Sequence, residues 1–128
     1  MTKLLTLEVP GLPPTVNSMY RNSGTHRYKR EEVTEWQEET AALMKENYSG
    51  RSPPFTGRVS VVIEFVVKTR KTWDIDNRLK ALLDCLEIAG VIENDNQIDS
   101  LNVTRKRGGE TLTRLTLADY KGGLCDDE

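Results

Sequence analysis

The chain has 128 residues, of which 30% are charged and 37% apolar, and a net charge of −2. These values fit one soluble domain with a real core and little room for a second. They exclude a membrane helix, because no apolar run is long enough. They also argue against a disulfide or zinc scaffold, because there are two cysteines, one histidine and no paired-cysteine motif.

The opening "MTKLLTLEV" is a poor secretion signal and reads as a strand over 3–9, with Leu5, Leu7 and Val9 on one face. "PGLPPTVNS" breaks regular structure, and the polar, basic "MYRNSGTHRYKR" continues as loop. A helix is expected from about Arg30 to Tyr48. Val33, Trp36, Thr40, Leu43, Met44 and Tyr48 form its stripe, and Glu31 and Glu32 suit its first turn. That stripe serves as core or as a dimer seam.

"RVSVVIEFVVK", 58–68, is the strongest strand signal. It is apolar on both faces, as a central strand is. A second helix is expected over 77–89, with Leu79, Leu82, Leu83, Leu86 and Ala89 buried, Ile75 just ahead and Gly90 as its C-terminal cap. Two strands at about 98–106 and 111–118, joined by a turn at Gly108-Gly109, close the domain. Leu101, Val103, Leu115 and Leu117 are their core candidates.

The expected fold is therefore α+β. It is a single domain over 1–120, of order β-α-β-α-β-β, with two helices against a mixed or antiparallel sheet and an acidic, mobile tail at 121–128. Cys85 in the helix and Cys125 in the tail read as reduced thiols of a cytosolic protein.

Charge runs in blocks. Residues 1–30 carry five Lys/Arg against one acid, residues 31–50 six acids against one Lys, and residues 74–100 seven acids against two bases. Cations bound among the last group would leave the basic blocks dominant, as nucleic-acid binding requires.

The densest acids lie in "TWDIDNRLKALLDCLEIAGVIENDNQID", 72–99. In extended chain, Asp74 and Asp76 share a side about 7 Å apart and can grip one hard cation or bracket two. Asp76 also suits the helix N-cap, with Lys80 a turn on at i+4 and Asp84 continuing that line. Asp95 joins the group only if the chain turns back toward the helix start. Three Asp with one Lys are a kit for metal-assisted phosphodiester hydrolysis. The plainer readings are a helix cap for Asp76, a solvated helix residue for Asp84, a turn or strand start for Asp99 and an ordinary loop for "NDN".

The run "DIDNRLKALLDCLEIAGVIENDNQI" resembles the signature of the RusA family of Holliday-junction resolvases, at Asp74, Asp76, Asn77, Lys80, Gly90 and Asp95. "PGLPPTVNSMYR" is similar to the family's early segment, at Pro13, Pro14, Asn17 and Tyr20. The resemblance implies a Mg²⁺-dependent endodeoxyribonuclease, with Mn²⁺ able to substitute. It would act as a homodimer that makes paired cuts in branched DNA, in the cytoplasm of a bacterial or phage-infected cell. It further implies that Asp74, Asp76 and Asp95 bind metal and that Lys80 is catalytic, and it marks Asp84 as a recurrent acid. Trp73 departs from the pattern, standing where a relative carries a basic residue; Arg70, Lys71 or Arg78 would supply that charge instead.

The residues expected to meet DNA are Asn17, Tyr20, Arg21, His26, Arg27, Lys29, Lys68, Arg70, Lys71 and Asn77, with "RKR" at 105–107 as a third basic contact. Solvated loop charge is the plain alternative for each patch. Two other readings of the whole stay open: a non-catalytic branched-DNA-binding protein, and a metal-dependent nuclease on another DNA structure.

Overall fold

The computed structural model describes residues 4–15, 20–23, 26–29, 31–48, 54–69 and 72–122. The expected α+β architecture is the one observed. A four-stranded mixed sheet has two helices packed on one face. In chain order the elements are β1 (Leu4–Pro10), β2 (Tyr20–Ser23), β3 (His26–Lys29), α1 (Glu31–Tyr48), β4 (Val59–Val67), α2 (Leu79–Ile88), β5 (Ile98–Arg107) and β6 (Leu112–Asp119). Short 3₁₀ turns at Ile75–Arg78 and Asp95–Gln97 bracket α2.

The sheet order is β1-β6-β4-β5, antiparallel except where β4 runs parallel to β5. β4 is central, as its two-sided apolar pattern requires. Val59, Val61, Ile63 and Phe65 are fully buried beneath the helices, beside Leu115 and Leu117 of β6 and Leu7 of β1. Each such side chain contributes roughly 1.5–3 kcal/mol of burial. From α2 the core takes Ala81, Leu82, Cys85 and Leu86, and from its C-cap Ala89. From α1 it takes Val33, Gln37, Thr40, Ala41 and Met44, while Trp36 is half-buried and Leu43 exposed. Gln37 donates to the carbonyl of Ala81 and so pins α1 to α2.

Three expectations are corrected. First, residues of the basic loop pair as the hairpin β2–β3, so two strands are added to the expected order. Second, β5 and β6 are not a hairpin. β4 lies between them, and the chain at Gly108 crosses the end of β4, where its N–H donates to the carbonyl of Val67. A Cβ at Gly108 would stand 2.5 Å from Val66 Cγ1, so a glycine there reflects a close passage. Third, Leu101 is exposed because β5 is an edge strand.

The open face of the sheet carries a chain of ion pairs across all four strands, Glu8–Arg114–Glu64–Lys106. The Lys106 ammonium and the Arg114 guanidinium hold the Glu64 carboxyl below its ordinary value. Cys85 is a buried thiol whose Sγ donates to the carbonyl of Gln37 at 3.7 Å, and Cys125 lies outside the described residues, as does the chain beyond Gly122. Among the described residues no helix is long and apolar enough to cross a membrane.

Candidate active site

The segment after β4 is anchored before it turns. The Trp73 indole meets Phe65 edge-on, with ring centroids 5.3 Å apart. Arg105 of β5 donates to the Trp73 carbonyl, and Arg78 donates to the carbonyl of Pro13 at 2.5 Å. The early proline segment is thereby tied to the acidic one.

Between these anchors Asp74 is extended and Asn77 N–H donates to its carbonyl, closing the 3₁₀ turn at Ile75–Arg78. The cap expected of Asp76 is corrected. Asp76 lies inside this turn, Asp74 is the turn's N-cap without a side-chain cap bond, and Arg78 occupies the N-cap of α2. Helix amides therefore do not occupy these carboxylates. Both residues are exposed, and among the described residues neither carboxylate has a hydrogen bond or ion pair. Asn77 is half-buried beside them. Lys80, in the first turn of α2, is exposed and pairs with Asp84 at 3.2 Å.

At the other end of α2, Gly90 adopts φ +76° and closes a Schellman cap: its N–H donates to Glu87 O and that of Val91 to Leu86 O. The "NDN" loop that follows is a built support rather than an ordinary loop. Asn94 and Gln97 form a capping box. Buried Gln97 accepts from the Glu93 and Asn94 N–H groups at 2.7 and 2.9 Å, and donates to the carbonyls of Phe55 and Gly57 at 2.9 Å each. Arg58 donates to the carbonyl of Asn96 and grips both oxygens of Asp99 at 2.6 and 3.0 Å. Asp99 is thus a structural residue, as its plain reading held. On this frame Asp95 is exposed, and its N–H is fixed to Glu87 Oε1 at 2.6 Å.

That last bond places Asp95 at the C-terminal turn of α2, whereas Asp74 and Asp76 stand before its N-terminus. A ten-residue helix is about 15 Å long. One chain therefore does not gather the three expected metal carboxylates, and among the described residues no three His, Cys, Asp or Glu form a metal-sized group. What one chain does offer is a pair of unengaged aspartates on one turn. That hard-oxygen set suits Mg²⁺, which takes one or two carboxylates and completes its shell with water and phosphate oxygens.

The expected DNA contacts divide by position. Asn17, Arg70 and Lys71 lie outside the described residues, and Tyr20, Arg21, His26, Arg27 and Lys29 lie on the β2–β3 hairpin. Lys68 is exposed just past β4. Its N–H donates to Thr111 Oγ1, and its carbonyl accepts from Arg107. In "RKR", Lys106 is paired with Glu64 on the open face, while Arg105 reaches the acidic turn on the helix side. Arg105 was marked in the sequence only as part of the basic run "RKR", with nothing to tie it to the acidic turn. Only the register that sets it beside Phe65 brings it to the site.

A family model described as "Endodeoxyribonuclease RusA" matches residues 10–118. A crossover junction endodeoxyribonuclease RusA of Aquifex aeolicus (strain VF5) is 34% identical over 93 residues, 73% of this chain and 72% of that protein. A second, from Enterobacteria phage HK97, is 28% identical over 93 residues, 73% of this chain and 76% of that protein.

Proposed function

This chain belongs to the RusA endodeoxyribonuclease family, and from that membership we propose that it resolves four-way DNA junctions by paired, Mg²⁺-dependent phosphodiester cleavage, as a homodimer. The observation that carries this reading is the exposed pair Asp74 and Asp76, whose carboxylates have no hydrogen-bond or ion-pair partner among the described residues, on the turn that bears the family's resemblance.

In this reading Asp74 and Asp76 hold the ion, and Asp95 reaches it from a second copy, because α2 keeps Asp95 away within one chain. When bound, such an ion, with Mn²⁺ serving in place of Mg²⁺, polarises phosphate oxygen and makes hydroxide accessible at neutral pH. Lys80, held by Asp84 one turn into α2, offers an ammonium to the charge that builds on the phosphate. Asn17, Asn77, the cations of the hairpin and Lys68, Arg70 and Lys71 contact the arms, and the protein works in the cytoplasm of a bacterial or phage-infected cell.

The test is a synthetic four-way junction with Mg²⁺. The unsubstituted chain should cut it in preference to linear duplex. Asp74→Asn should bind it with similar affinity and cut more than about a hundredfold more slowly, since even outer-shell partners of metals are worth 10–100-fold. Absence of metal-dependent cutting by the unsubstituted chain on any branched DNA would overturn the reading.

A further inference from the structure

The indole of Trp73 carries two guanidinium groups. The Cζ of Arg78 stands 4.8 Å and that of Arg105 5.1 Å from the ring centroid. Both are within cation–π range. Neither has a carboxylate partner among the described residues, although Asp74 and Asp76 lie within a few residues of Arg78. Arg78 is partly buried, and its Nε–H is enclosed without a hydrogen-bond partner among the described residues.

A desolvated cation without a counter-ion is unfavourable. If these arginines served only to brace the turn, ion pairs with the adjacent aspartates would satisfy both charges. The fold instead keeps cations and anions of the site apart. Each guanidinium has more N–H donors than its single bond to a backbone carbonyl uses. A planar fork of this kind is suited to phosphate.

We infer that Arg78 and Arg105, arrayed on Trp73, form a seat for a phosphodiester group of the DNA strand that meets Asp74 and Asp76. The seat rests on the reading of the chain as a DNA-cutting enzyme.

The test is junction binding by fluorescence anisotropy across a salt series, in the Asp74→Asn background so that cutting does not intervene. Arg105→Met keeps an apolar stem against Trp73 and removes the charge. It should weaken binding about fivefold near 0.2 M salt and make the plot of log affinity against log salt shallower by about one unit, as loss of one phosphate contact requires. Arg105→Lys should keep the parental slope. Arg78→Met gives the same readout from the other half of the seat, and thermal melting confirms that each variant is folded. Parental slopes in folded Arg105→Met and Arg78→Met would overturn the seat, even where the unsubstituted chain cuts junctions. An unsubstituted chain that binds junctions but does not cut them with Mg²⁺ would sink the nuclease reading while the slopes still decide the seat. A parent that binds no DNA overturns both.

Discussion

Gln97 shows how one polar side chain can hold the loop of a proposed metal ligand, Asp95, that it never touches. Both atoms of its amide are bonded twice, to the Glu93 and Asn94 N–H groups and to the Phe55 and Gly57 carbonyls. Replacing it with leucine of similar volume leaves buried backbone groups without partners, at about 1–3 kcal/mol for each group that water does not reach. Gln97→Leu should therefore lower stability by roughly 2–4 kcal/mol in denaturant titration. It should slow junction cutting more than it weakens junction binding, because the loop that presents Asp95 loosens. A denaturant midpoint equal to the parent's would show that the amide is dispensable. The sequence held part of this support in view: "NDN" reads as turn chemistry. The partners of Gln97, more than forty residues back at Phe55, depend on the tertiary fold and leave no local trace.

At the scale of elements, periodicity carried the reading where one face is buried. β1, β4, α1 and the Gly90 cap all lie within about two residues of expectation. The β2–β3 hairpin was missed because its residues are polar and basic throughout, so no alternation marks it. The β5–β6 connection was misread because Gly108-Gly109 is equally a hairpin turn and a tight crossing. What decides between them is that β4 must be paired on both edges. The placement of Asp95 failed for a related reason. A helix between two strands makes them parallel, so β5 begins at the end of the sheet where β4 begins, far from the turn that follows β4. The crossing at Gly108 has its own test. Gly108→Ala should cost about 1–3 kcal/mol through overpacking against Val66. Val66→Ala in the same chain should return part of that loss, a coupling seen as non-additive melting temperatures. Additive losses would mean that the passage is not the constraint.

Across the whole molecule, the residues of the proposed site stand at the two ends of α2, with Asp74, Asp76 and Lys80 at one and Asp95 at the other. If two copies complete each other, inactive variants should rescue one another. Asp74→Asn and Asp95→Asn proteins, each silent alone, should regain cutting when mixed and allowed to exchange subunits. Only one of the two sites in a mixed pair would be whole, so the product should be nicked strands rather than paired cuts. No activity from the mixture, with exchange confirmed by a tagged partner, would place all the acids of each site in one copy. On the proposed reading, the crowding of acids over 72–99, legible at once, marks two half-sites. Residue spacing along the chain had merged them into one.

The length of α2 also bears on how this protein is kept in check. If Asp95 is supplied by a second copy, a solitary copy would hold only an incomplete site, however much metal surrounds it. Competence would rise with the square of concentration while copies are scarce, so dilution alone would act as a safety catch on intact chromosomes.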